Sequence, residues 1–171
     1  MNLHPMLVHF PIALFTIYAV CELMPSKRLR QSSTWLSIKA TMVIVGTGSS
    51  FATFLSGYAI KDGFMRDKTL ARIVVTHAQF ALLTILIFLV LAKMYAILCL
   101  EKTALQVKLS RWSLWNKLVR CAHFCYDKKI APLFALIGLA CVTVTAAIGG
   151  GIVYGQDVDP FVLFIYRILK L

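Results

Sequence analysis

The sequence predicts an all-α fold, a polytopic membrane protein built as a four-helix transmembrane bundle with an interfacial amphipathic helix between helices three and four. Two observations carry this. Of the 171 residues, 60% are hydrophobic and only 15% charged, with a mean hydropathy of +0.80, whereas an ordinary soluble domain keeps about a quarter of its residues charged. Four stretches, roughly 3–24, 36–60, 72–100 and 131–155, are also long and apolar enough to cross a hydrocarbon core ~30 Å thick, which takes ~20 helical residues. One domain, 1–171, takes in the whole chain. Span one has no basic segment and no small-residue cleavage site before it, so it is expected to be retained.

The net charge of +11 suggests nucleic acid until the charges are placed. Lys27, Arg28, Arg30 and Lys39 flank the first connection, and Lys93, Lys102, Lys108, Arg111, Lys117, Arg120, Lys128 and Lys129 flank the third. The second connection and the tail hold only Lys61, Arg66, Lys68, Arg72, Arg167 and Lys170, partly offset by Asp62, Asp67, Asp157 and Asp159. The positive-inside rule then puts the first and third connections in the cytoplasm and both termini on the outer side. The expected partner is the lipid bilayer, with no nucleic acid. The five cysteines, Cys21, Cys99, Cys121, Cys125 and Cys141, fall in or near the inner half, where an odd count without a CxxC pair argues against a disulfide framework.

Span one opens on Asn2-Leu3-His4-Pro5, where proline suits the first helical turn. Pro11 removes a hydrogen bond inside the span and should kink it, leaving a carbonyl for a neighbouring helix, side chain or water to satisfy. Pro25 closes the span. In span two, Gly46, Ser50, Thr53 and Gly57 line one helical face. That stripe suits either close helix packing or a flat ligand lying against it. Between spans three and four, Trp112, Trp115, Leu118, Val119 and Ala122 recur at helical spacing among Arg111, Lys117 and Arg120, the pattern of a helix lying in the headgroup region. The tail from Phe161 to Leu171 is too short to span again and is expected on the outer interface or against a partner.

Four histidines remain. His4 and His9 lie in the first turns of span one and His77 five residues past Arg72 in span three. Spans one and three run in the same direction, so all three are expected in the outer leaflet. Counted from the helix starts, His9 and His77 reach similar depths of roughly 8–11 Å at 1.5 Å per residue. Two imidazoles facing each other in a four-helix bundle can be the axial ligands of a b-type haem. Arg72, Lys61 or Arg66 would then meet its propionates. His4, about 140° around the helix from His9, would orient a propionate or bind a quinone oxygen. Each of these histidines could instead be a hydrogen-bonded packing or capping residue. His123, alone on its side between Cys121 and Cys125, reads as an interfacial histidine.

No charged residue falls near the middle of a span, which leaves a proton relay little material. Glu22, at the inner end of span one, is the nearest, with Lys27 or Lys39 as its expected partner. There is no P-loop, nucleophile elbow or HExxH pair, so hydrolase chemistry has no support.

The opening Leu3-His4-Pro5-Met6-Leu7-Val8-His9-Phe10-Pro11-Ile12-Ala13-Leu14 resembles that of a bacterial membrane-protein family of unknown function whose members begin with an HPxxxHFPIA motif. Thr76-His77-Ala78 and Gly149-Gly150-Gly151-Ile152-Val153-Tyr154-Gly155 resemble its third-helix histidine and closing motif. The resemblance implies a four-helix domain akin to cytochrome b-type haem-binding membrane domains, in a family with relatives fused to Rieske or cytochrome c modules. It carries His9 and His77 over as axial ligands, with His4 a third motif position.

The expected function is therefore that of a b-type haem protein of the bacterial inner membrane, an electron carrier rather than a stand-alone catalyst. Its partners would be a larger membrane redox complex or the quinone pool. The alternatives are a cofactor-free structural or accessory subunit and a small quinone or metal site at His4, His9 and His77.

Overall fold

The computed structural model describes residues 3–24, 26–30, 32–127 and 130–171. Asn2, Pro25, Lys128 and Lys129, used above for helix ends and charge, lie outside them. So do the side chains of Arg30 and of Lys27, the latter one of the two expected partners of Glu22. Among the described residues the regular structure is helical throughout: α1 (His4–Leu23), α2 (Lys27–Arg30), α3 (Ser33–Ile60), a 3-10 turn (Lys61–Phe64), α4 (Lys68–Leu100), α5 (Leu105–Leu109), α6 (Ser113–Asp127), α7 (Ile130–Tyr154) and α8 (Pro160–Leu169). Four of these, α1, α3, α4 and α7, are long and apolar enough to cross a membrane.

These four pack as a ring in the order α1, α3, α4, α7. Consecutive members run in opposite directions, so α1 and α4 start at the end where α3 and α7 finish. Local chemistry sets the ends. Ser32 accepts a hydrogen bond from the Trp35 N–H to open α3, Asp67 caps α4 through the Leu70 N–H, and Asp159 caps α8 through the N–H groups of Phe161 and Val162, each satisfying donors that the first helical turn leaves unpaired. Pro11 is buried inside α1, and the carbonyl it frees, that of Leu7, accepts from Thr53 Oγ1 on α3 at 3.3 Å.

The core runs down the ring's centre through Phe15, Tyr18, Phe88, Leu91 and Tyr95. Helix α6 leans on α4 and α7 through buried Ala122 while Trp112 and Leu118 stay exposed. The tail is helix α8, whose Val162, Ile165 and Tyr166 pack on α7 beside Ile148, so within the chain α7 is its partner. Tyr166 Oη donates to the Ile148 carbonyl at 3.0 Å and its ring fills the space left open by Gly151.

Candidate functional site

The bundle is two copies of one arrangement. In α1, His4 and Phe15 stand eleven residues apart, as do His77 and Phe88 in α4; in α3, Gly46 and Gly57 stand eleven apart, as do Gly138 and Gly149 in α7. Eleven residues are just over three full helical turns, so each pair shares one face at levels ~16 Å apart. In the first hairpin the Phe15 ring sits where a side chain on Gly46 would begin, 2.9 Å from that Cβ position, and the His4 ring does the same at Gly57, at 2.8 Å. In the second hairpin Phe88 meets Gly138 at 2.8 Å and His77 meets Gly149 at 3.1 Å. Both copies run in the same direction, so a pseudo-two-fold axis along the bundle relates them, the parallel-repeat arrangement known in membrane proteins.

The repeat extends to the histidine hydrogen bonds. His4 Nδ1 donates to the Thr53 carbonyl at 3.1 Å and His77 Nδ1 to the Thr145 carbonyl at 3.1 Å, each threonine lying one turn before the glycine that seats the ring. His4 Nδ1 also meets Ser56 Oγ at 2.9 Å. A carbonyl only accepts, so Nδ1 carries the proton in both rings, and a neutral imidazole then takes a metal on Nε2. Anchoring of the far ring nitrogen by a carbonyl is also what orients metal-bound histidines.

His4, then, answers His77 across the bundle. His9 is exposed, and its Nδ1 donates to the Pro5 carbonyl of its own helix at 2.6 Å. Depth counted from helix starts pairs His9 with His77, but α4 begins at Lys68, more than two turns before His77, while α1 begins at His4 itself. Arg72 is exposed near the start of α4. At the other end His123 Nε2 bonds Glu101 Oε2 at 2.6 Å. Among the described residues no group of three or more metal-ligand side chains gathers; axial ligation needs two.

The small-residue stripe of α3 divides in the same terms. Gly46 and Gly57 admit Phe15 and His4 of α1, so this face is occupied by close helix packing. The duplicated spacings, His to Phe twice and Gly to Gly twice, are open to inspection in the sequence and are the signal that singles out His4.

A second polar cluster lies at the opposite end, in the middle of the packed helices. Glu22 and Lys39, one of the two pairs expected from sequence, join at 2.9 Å with both side chains 1% exposed, and Tyr95 Oη donates to the same oxygen, Glu22 Oε2. Lys39 Nζ also lies 5.2 Å from the ring centres of Tyr95 and of Tyr126 on α6, a distance at which a cation is attracted to an aromatic face. Tyr18 and Tyr95 carry no signal in the sequence, where a tyrosine in an apolar span reads as core.

No protein-family model matches the chain, and no curated protein and no solved structure matches it.

Proposed function

We propose that the protein crosses the bacterial inner membrane four times, with both termini outside, and holds one b-type haem between His4 and His77 near its outer surface, serving as an electron carrier or a subunit of a larger redox complex. The observation that carries this reading is the symmetric pair of imidazoles, each proton-anchored through Nδ1 to a threonine carbonyl of the neighbouring helix. The donor chemistry fits the group: His4 and His77 would bind through Nε2 from opposite sides of the pseudo-two-fold axis. Toward the bundle's middle the next buried side chains include the small Pro11, Ser50 and Thr84. When bound, the haem supplies the one-electron step. The chain's own residues hold the imidazoles' orientation and keep water from the apolar interior, while Arg72, exposed before His77, offers a cation to the propionates.

The excess of basic residues on the first and third connections supports the orientation. In this topology α6, with Leu114 and Leu118 exposed among basic residues and Trp112 exposed just before it, lies along the inner headgroup region. The test is haem titration of the purified protein: one equivalent giving a low-spin bis-imidazole spectrum supports the proposal, and no spectral change overturns it.

A cofactor-free accessory role is the second reading. It is favoured by the fit of both histidine rings into the spaces at Gly57 and Gly149, which makes them packing residues in their own right.

A further inference from the structure

The segment between the third and fourth spans carries an apolar surface of its own. Helices α5 and α6, five and fifteen residues long, are too short to cross a bilayer, which takes ~20 helical residues. Yet Val107, Trp112 and Leu114 are 72, 69 and 65% exposed. Large apolar side chains gathered on a surface mark a place where something else docks.

Helix geometry lays the patch out. Ala122 is buried, with Trp115 and Val119 half-buried on the same face, where α6 meets α4 and α7. At about 100° per residue, exposed Leu114 and Leu118 occupy one flank of that face. Lys117 borders this flank, Phe124 and Arg120 follow it round, and Asn116, His123 and Asp127 take the opposite flank. Apolar groups beside the bundle with cations beyond them suit a helix sunk to the level of lipid phosphates. Two hydrogen bonds carry the surface on into α5. Trp115 Nε1 donates to Gln106 Oε1 at 2.7 Å, and Asn116 Nδ2 donates to the Ser110 carbonyl at 2.9 Å. They hold Val107, Lys108, Arg111 and Trp112 against the start of α6, so that docking requires little further ordering.

Charge identifies what covers the patch. From Glu101 to Asp127 the chain has five basic residues, Lys102, Lys108, Arg111, Lys117 and Arg120, all of them exposed, against two acids. One of those acids, Glu101, is engaged by His123. A row of cations along an apolar face complements a leaflet with negative headgroups.

We propose that residues 101–127 form a binding surface for anionic phospholipids. Trp112, Leu114 and Leu118 enter the upper part of the acyl chains, and Lys108, Arg111, Lys117 and Arg120 meet the phosphates. The proposal rests on the headgroup-level placement of α6 given above, goes beyond it in naming the lipid, and is independent of haem.

Tryptophan quenching by brominated lipid tests this on the full-length protein, without haem, in bilayers of phosphatidylcholine with a minor fraction of phosphatidylglycerol. Bromine is placed on the acyl chains of one lipid at a time, and the difference between the native protein and Trp112→Phe isolates Trp112 from Trp35 and Trp115. Brominated phosphatidylglycerol should quench Trp112 at least about twofold beyond its share of the lipid, because each surface cation attracts an anionic headgroup. The excess should vanish when Lys108, Arg111, Lys117 and Arg120 are all replaced by Gln. High salt should shrink it in the native protein, a check that does not depend on the folding of the variant. Quenching in simple proportion to lipid share would overturn the proposal while leaving α6 at headgroup level. An excess that survives the four replacements or high salt would also overturn it. Quenching by neither lipid would remove the headgroup-level placement as well, and leave the patch to an acidic protein partner.

Discussion

Phe15 lies flat on Phe88, ring centroids 3.7 Å apart and planes within 3° of parallel. The two rings are equivalent residues of the two hairpins and meet on the pseudo-two-fold axis, each backed by its own glycine, Gly46 or Gly138. This contact fixes the register of α1 against α4, and so brings His4 level with His77 three turns away.

The glycines are therefore expected to be unequal. Gly46→Ala, Gly57→Ala, Gly138→Ala and Gly149→Ala each put a methyl group within 2.8–3.1 Å of an aromatic or imidazole ring, and overpacking of this kind costs about 1–3 kcal/mol. Gly48 and Gly150 have nothing within 4 Å of the position a methyl group would take, so alanine there should cost nothing and raise stability by up to about 1 kcal/mol through the lost freedom of a mid-helix glycine. Thermal unfolding in one detergent compares the six variants.

The Glu22–Lys39 pair should behave as a unit. Lys39→Met leaves a carboxylate buried without its ammonium, a loss of about 3–5 kcal/mol for a pair of this kind. Replacing both residues, Glu22→Gln with Lys39→Met, should recover much of that loss. A double-mutant cycle on denaturation free energies measures the coupling, and strict additivity of the two single changes would refute it.

Helix α8 is held on α7 by apolar packing and by one hydroxyl. Tyr166→Phe removes the donor to the Ile148 carbonyl, which keeps its helical partner, so the loss is that of one hydrogen bond, about 0.5–1.5 kcal/mol. Faster amide exchange in α8, residues 160–169, with α7 unaffected, is the expected outcome by hydrogen exchange and mass spectrometry.

The thiols of α6 should differ in reactivity. Burial and the neighbouring Cys121 raise the Cys125 pKa above the usual thiol value, so at neutral pH less of it is thiolate, the nucleophilic form. Cys121 is exposed. Alkylation should therefore reach Cys121 first, with labelling of Cys125 rising as the pH is increased, as peptide mapping after timed quenching would show.

Much of the fold is legible in the sequence because span length and composition answer to one constraint, the satisfaction of backbone polar groups in an apolar solvent. The four long helices fall within a few residues of the expected spans, Thr53 meets the carbonyl freed by Pro11, and Lys39 meets Glu22. The histidine partner is less legible. Depth counted from helix starts takes no account of α4 extending two turns past the level at which α1 begins, a stagger that no single span reveals. Comparison of the two hairpins does reveal it, because His4 and Phe15 repeat as His77 and Phe88. The tyrosines around Glu22 lie beyond pattern reading altogether: which apolar-face tyrosine turns its hydroxyl to a buried acid depends on packing between helices.

The most direct test of the histidine site is the visible spectrum of the protein expressed with ample haem, alongside His4→Ala, His77→Ala and His9→Ala. The account predicts a low-spin Soret band in the native protein that is lost or strongly changed in the first two variants and kept in the third. A native protein without the band, or a band that survives His4→Ala and disappears in His9→Ala, would contradict it.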